Sequence, residues 1–266
     1  MNKTVKIIAL VVLGFFVLFL LVSARKHHAE TIMQAPEIQL EISDGMTLIT
    51  QQEVAEILAR EGLYKEGLQR QDFAIKKIEE VLLATNEIDS VEVYTKLDGR
   101  WFIHARVKRP IVRIIDPNNQ DFYIERTGNL MGLSPYYRPK VLAVTGMEKL
   151  WGNDFDFRQV INNDSLITKF KLRDLYLISD YVCNDAFYDA LIVQVKYDKQ
   201  LGFVLVPRLG NQLIVLGDDF TPEDIKRKFN KLTTFYEEVI PYEGWEAYKA
   251  VDLRFENQIV AKKNLE

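Results

Sequence analysis

Sixteen consecutive residues, Ile7 to Val22, contain no charged side chain, and Ser23 and Ala24 extend the run to eighteen. A helix rises 1.5 Å per residue, so crossing a hydrocarbon core about 30 Å thick takes about 20 apolar residues, and no fewer than about 17. A run of this length gains little by staying in water. The chain therefore reads as one membrane anchor, residues 7–24, with a tail of residues 1–6 before it and one large body behind it. Lys3 and Lys6 precede the run, and Arg25, Lys26, His27 and His28 follow it. Flanking charge is nearly balanced and says little about orientation. The short N-terminal tail reads as a signal-anchor start, with the N-terminus cytoplasmic and the body outside. The alternative is a cleaved signal peptide, with Val22-Ser23-Ala24 as the small-residue cleavage site; against it, signal cores run only about 7–15 residues.

The body has the length of one large or two small domains. With 48% hydrophobic and 27% charged residues, its chain has the composition of a folded protein. Net charge is −4, and Lys and Arg form no block beyond the anchor's flanks. This argues against a nucleic-acid partner, which requires clustered cations. The single cysteine, Cys183, permits no intrachain disulfide and reads as a small buried hydrophobe. His27 and His28 lie in a polar spacer, residues 25–36, and His104 stands alone on the outer face of an expected strand. No G-x-S-x-G, no glycine-rich phosphate loop and no Cys/His metal spacing is present. The carboxylates fall at turns and helix ends, where capping accounts for them. We therefore expect no enzymatic activity, metal or cofactor.

Beyond Pro36, Ile38, Leu40 and Ile42 alternate with polar residues as in a half-buried strand, closed by Asp44-Gly45. Thr50 with Glu53 forms a capping box, and Val54, Ile57 and Leu58 give the helix after it an apolar stripe that stops at Gly62. Asp72 can cap a second helix carrying Ile75, Ile78, Val81 and Leu82. A strand with Val91, Val93 and Leu97 on alternate positions follows, then Asp98-Gly99 as a two-residue hairpin turn. The return strand sets Trp101, Ile103, Ala105 and Val107 on one face and Phe102, His104 and Arg106 on the other.

This order of strand, helix, helix, strand and strand resembles a polypeptide-transport-associated (POTRA) domain, here residues 37–109. A POTRA domain directly after a single anchor is similar to the arrangement of the bacterial cell-division family FtsQ/DivIB. The segment Ile75 to Pro110 carries much of the likeness, including Asn86-Glu87-Ile88-Asp89-Ser90-Val91-Glu92-Val93 and the junction Lys108-Arg109-Pro110-Ile111-Val112. Where the family often has an acidic residue before this junction, Arg106 to Arg109 is basic here.

Past Pro110 the pattern turns to β. Phe122 to Glu125 is an expected strand and Thr127-Gly128-Asn129 its turn; with Glu125 in the family's Asp position, this resembles its strand–Asp–turn–Gly signature. Arg138-Pro139 through Leu142 to Gly146 resembles the next one. Trp151 to Asp154 and Asn162 to Asp164 have turn chemistry. A helix is expected near 165–183, from Leu166, Phe170, Leu177, Ile178 and Val182. Three antiparallel strands follow, at 192–196, 202–206 and 212–216. Thr221-Pro222-Glu223-Asp224 starts a helix, with the stripe Ile225, Phe229, Leu232, Tyr236 and Val239, ended by Pro241. The last expected strand, Ala250 to Val260, resembles the family's hydrophobic–Asp–Leu–Arg–aromatic segment. In it Val251, Leu253 and Phe255 point one way and Asp252, Arg254 and Glu256 the other.

The fold class is thus α+β: an anchor helix, a POTRA-like domain, and a mainly antiparallel β domain over 110–262 with two helices, then a tail of 263–266. The resemblance implies a non-enzymatic divisome scaffold in the bacterial inner membrane at the septum. Its implied partners are FtsB- and FtsL-like proteins, with FtsK-, FtsW- and FtsI-like proteins as further candidates. It also implies that the final strand is an edge on which FtsB adds a strand, presented by Arg254, Phe255, Glu256, Asn257, Gln258 and Ile259. The alternative is a POTRA-bearing protein-transport component, which normally brings a C-terminal barrel or repeated POTRA units. Neither pattern is visible here.

Overall fold

A computed structural model describes residues 3–43, 45–116, 121–148 and 164–264. It opens on α1 (Lys3–Ala29). Every side chain from Leu10 to Val22 is exposed, Leu10 at 74% and Phe19 at 68%. Such a surface suits lipid and not water. Among the described residues α1 is the one helix long and apolar enough to cross a membrane, over Leu10–Ala29. The rest of the chain separates with it into two compact units, residues 1–107 and 108–266.

The first unit contains β1 (Glu37–Glu41), α2 (Gln51–Arg60), α3 (Ile75–Leu83), β2 (Ile88–Thr95) and β3 (Trp101–Val107). The sheet order is β1-β3-β2, with β1 parallel and β2 antiparallel to β3. Local chemistry sets α2 at both ends. The Thr50 hydroxyl accepts the Glu53 N–H, and the Glu53 carboxylate accepts the Thr50 N–H in return. At the other end Gly62, at φ +68°, donates to Ala59 O while the Leu63 N–H reaches Leu58 O, the double bond of a Schellman close. Val54, Ile57, Leu58, Ile78 and Leu82 are buried together with Trp101, Ile103, Ala105 and Val107. The Trp101 indole is fully enclosed, donates to Gln34 O at 2.7 Å, and meets the Phe73 ring at 4.6 Å.

Three expectations here need correction. Asp72 does not cap α3; it ends a short 3₁₀ turn, Arg70–Asp72, and the residue before α3 is Ala74. Leu97 lies beyond β2 and is 79% exposed. The hairpin loop has three residues, since Lys96 N–H bonds Arg100 O and Gly99 N–H bonds Lys96 O. Gly99 takes the left-handed position at φ +86°, the three-residue alternative to a tight turn. Asp44 lies outside the described residues.

The second unit contains β4 (Pro110–Ile114), β5 (Phe122–Glu125), β6 (Leu130–Met131), β7 (Leu142–Thr145), α4 (Asp164–Lys169), α5 (Leu172–Asn184), α6 (Ala186–Leu191), β8 (Ile192–Asp198), β9 (Gly202–Pro207), β10 (Leu213–Gly217), α7 (Pro222–Glu238), α8 (Ile240–Glu243), β11 (Tyr248–Asp252) and β12 (Val260–Lys263). These strands form one sheet in the order β12-β11-β10-β9-β8-β7-β4-β5-β6. Pairing is mainly antiparallel, but β4–β7, β7–β8 and β10–β11 are parallel. The register aligns Ala261, Val251, Ile214, Leu205, Val195, Val144, Ile114 and Phe122 in one row across the sheet. That row shares a core with Leu175, Ile178 and Val182 of α5 and Phe229 and Leu232 of α7.

The helix expected at 165–183 is two helices, α4 and α5, broken at Lys171 with φ +56°, and α6 follows without a sequence expectation. The Lys171 ammonium pairs with Asp218 at 3.6 Å and with Asp219, contacts made 47 or more residues away. Nearby, the buried Asp174 carboxylate accepts the N–H groups of Asp219 (2.9 Å) and Phe220 (3.1 Å), fixing the turn into α7. Pro241 does not end α7, which stops at Glu238; it sits in the first turn of α8, where its missing N–H has no consequence. Trp151 to Asp154, Asn162 and Asn163 lie outside the described residues, and Asp164 begins α4.

Candidate partner-binding edge

The expected single strand Ala250–Val260 is two strands, β11 and β12, joined by residues 253–259. The ladder to β10 runs one residue past β11, because Leu253 N–H donates to Val215 O at 2.9 Å. Then the chain turns. Arg254 N–H donates to Asp252 Oδ1 at 3.0 Å, and the Arg254 guanidinium forks onto the same carboxylate, Nε at 3.0 Å and Nη2 at 2.6 Å. A side-chain acceptor two residues back gives the backbone an alternative to the ladder. Burial pushes the Asp252 pKa up, but the hydrogen bonds from Arg254 outweigh it and hold the carboxyl below the usual range.

Arg254, Phe255, Glu256, Asn257, Gln258 and Ile259 are thus brought together, in a connection and not on a strand. Phe255 is 44% exposed and does not fill the core beside the fully buried Leu253. Glu256, Asn257 and Gln258 are exposed, and Ile259 is half-buried against the core. Beneath the connection, Lys228 Nζ of α7 donates to Leu253 O at 2.9 Å, and Lys231 Nζ to Leu253 O at 3.2 Å and Phe255 O at 2.6 Å.

The outermost strand is β12, paired antiparallel with β11 through Asp252↔Val260, Val251↔Ala261 and Ala250↔Lys262. The Leu253 bond fixes which way each backbone group faces. Val251 turns its N–H and C=O toward β10, as Leu253 does its N–H, so Asp252 and Ala250 turn theirs toward β12. Their partners Val260 and Lys262 face β11. Ala261 and Lys263 therefore aim their N–H and C=O outward, along an edge with no further strand among the described residues. The side chains alternate in the other sense: Ala261 faces the helical core, while Val260, 44% exposed, and Lys262 face the opposite side.

Outside this edge the described residues offer little chemistry. No group of His, Cys, Asp or Glu among them could hold a metal ion. His104 is exposed on the outer face of β3, 3.3 Å from the Tyr94 hydroxyl. Cys183 is half-buried, and burial raises its thiol pKa, the opposite of an activated nucleophile.

A family model described as FtsQ/DivIB, C-terminal related, matches residues 109–262, more than half of the chain. The chain belongs to the FtsQ/DivIB family. A POTRA-like domain model matches residues 34–106. No curated protein matches the chain. FtsQ/DivIB is a family of non-enzymatic cell-division proteins, and the exposed apolar α1 fits a single-pass membrane anchor in such a protein.

Sequence reading missed Val260–Lys263 as the edge, and Lys228 and Lys231 as its supports. A signal for the first was present: Glu256-Asn257-Gln258 is turn-forming chemistry, and Lys262-Lys263 after Val260-Ala261 is the charge pattern of a guarded edge strand. Nothing local marks the lysines, whose acceptors lie 22 to 25 residues away.

Proposed function

We propose that this FtsQ/DivIB member is a non-enzymatic divisome scaffold that captures a partner by strand addition along the outer edge of β12. It is held by α1 in the bacterial inner membrane with its body extracytoplasmic at the septum, and links early and late division proteins through its POTRA domain, residues 37–109, and its β domain, residues 110–262. FtsB- and FtsL-like proteins are the partners, with FtsK-, FtsW- and FtsI-like proteins as further ones. The observation that carries the reading is the outward-facing backbone of Ala261 and Lys263 at the end of a nine-strand sheet. An extended segment laid there completes those hydrogen bonds, and its alternate side chains meet Val260 and Lys262 on one face and Ala261 and Ile259 on the other. Arg254 to Ile259 flank the end of this edge, with Phe255 as an apolar contact for the incoming chain.

Ala261→Pro tests it. Proline removes an outward N–H without taking a bond from β11, and its ring occupies the space a partner backbone needs. Each lost hydrogen bond contributes about 0.5–1.5 kcal/mol net, so losing two or more weakens capture of an FtsB-family ectodomain at least about fivefold. Unchanged capture by the variant, with native circular dichroism, excludes this edge as the binding site.

A further inference from the structure

We propose that Lys228 and Lys231 are positioning residues that hold the connection between β11 and β12 so that the β12 edge keeps one register. This inference rests on the strand-addition reading for its functional consequence, though not for its geometry.

A strand of four residues at the rim of a sheet has one neighbour and few bonds to keep it in place. Its register depends on the connection that delivers it, and residues 253–259 have little of their own to pack: Arg254 to Gln258 are all exposed. What fixes them comes from α7. Lys228 and Lys231 are three residues apart, hence on the same face of the helix, and that face lies under the turn. Lys228 is 8% exposed, with its ammonium 5.7 Å from the centre of the Phe220 ring as well as on Leu253 O. Lys231 reaches the next two links, Leu253 O and Phe255 O. Two cations converge on one carbonyl oxygen, an arrangement unfavourable in itself. Burial lowers the pKa of both, and each lowers it further through a neighbouring cation, Lys231 beside Lys228 and Arg227 beside Lys231. A helix needing only solubility would leave both side chains in water. Held here, they tie the carbonyls that would otherwise extend β11, and force the chain to leave the sheet and return as β12. The positioned atoms are therefore carbonyl oxygens, which a mutational scan of residues 254–259 would not touch.

The full chain in detergent micelles is the sample, with Lys228→Met, Lys231→Met and Lys231→Arg as variants. Methionine keeps the length and apolar stem and removes the donors; arginine restores donors at the half-exposed position. Amide hydrogen exchange of β12 is compared with that of the central strand β10. The expected result is β12 exchange at least tenfold faster in both Met variants with β10 unchanged, near-normal exchange in Lys231→Arg, and a parallel loss of FtsB-family ectodomain capture. Unchanged β12 exchange in both Met variants overturns the proposal. So does equal acceleration of β10 and β12, which assigns the lysines to general stability. Faster β12 exchange with undiminished capture leaves the positioning role standing and removes the edge as the binding site.

Discussion

Gly146→Ala isolates how much of the second unit's stability depends on one missing methyl group. Gly146 follows β7 and holds φ +86°. A Cβ built there would lie 2.4 Å from Tyr197 O and 3.3 Å from both the carbonyl carbon and the nitrogen of Tyr197. These are backbone atoms of β8, the strand hydrogen-bonded to β7, so neither side can rotate away. Two costs add. An L-residue in the left-handed region costs about 1–2 kcal/mol, and forcing an extra carbon into a packed site costs about 1–3 kcal/mol more. Gly244→Ala separates them: Gly244 has φ +88° with nothing within 4 Å of the added Cβ. We expect about 1–2 kcal/mol for Gly244→Ala and about 3–4 kcal/mol for Gly146→Ala. At about 2–4 °C per kcal/mol for a unit of this size, the second variant melts roughly 10 °C lower. Because the chain has two compact units, the assay must resolve them. Heating with amide-exchange mass spectrometry does so, with β7 and β8 peptides for the sheet in question and β2 and β3 peptides as the internal control. If Gly146→Ala loses no more than Gly244→Ala, the close approach to Tyr197 contributes nothing and the reasoning fails.

Two further outcomes follow from the structure. Burial pushes the Tyr236 phenol up to about 12, against a hydrogen bond from Gln212 at 3.2 Å that lowers it; because the folded state holds the proton more tightly, its stabilisation is complete below pH 10 and lost as pH rises from 10 through 12. The two-unit difference corresponds to about 3 kcal/mol, so Tyr236→Phe should flatten the alkaline fall in stability measured by urea titration between those limits, leaving the part due to the buried Tyr188, whose pKa is also raised. For topology, alkaline phosphatase fused after Glu266 should be active in cells and the purified protein should still begin at residue 1 or 2; a mature N-terminus at Arg25 would instead establish a cleaved signal peptide.

The parts of the fold that were legible are those whose causes are local. Thr50 with Glu53, and Thr221-Pro222 with Asp224, announce α2 and α7 because each cap is closed within four residues. Alternation announces β3 because it buries a full face, and the continuous apolar run Phe203 to Val206 announces β9, which is buried on both faces. The parts that were not legible depend on distant partners. The break between α4 and α5 at Lys171 is held by Asp218 and Asp219, and no spacing near Lys171 encodes them. The parallel pairs β4–β7 and β7–β8 join segments separated by helices or long connections, so the sheet's order is a property of the whole unit. The division of Ala250–Val260 into two strands was illegible for a subtler reason. Val251, Leu253 and Phe255 alternate with Asp252 and Arg254 whether the strand continues or turns, and only the Asp252–Arg254 fork and the lysines of α7 decide for the turn.

On the proposed strand-addition reading, α1 also has a thermodynamic part beyond attachment. Ala261 and Lys263 offer at most two N–H and two C=O groups to a partner. At about 0.5–1.5 kcal/mol net each, the main chain contributes about 2–6 kcal/mol, and 4 kcal/mol corresponds to a Kd of about 1 mM. An apolar contact on Phe255 adds about 2 kcal/mol, still leaving an isolated strand bound only at tens of micromolar. Two proteins anchored in the same bilayer meet under different terms. Linked modules reach effective concentrations of about millimolar, so an edge too short to bind tightly in solution can be nearly saturated beside the membrane and empty away from it. The brevity of β12, with Lys262 and Lys263 on it, guards the same edge against pairing with a second copy of itself, since like charges opposite one another destabilise a ladder. On that reading a short, charged edge and a membrane helix are complementary features: the edge would keep solution affinity low, and confinement by α1 would raise local concentration until a partner held in the same membrane binds.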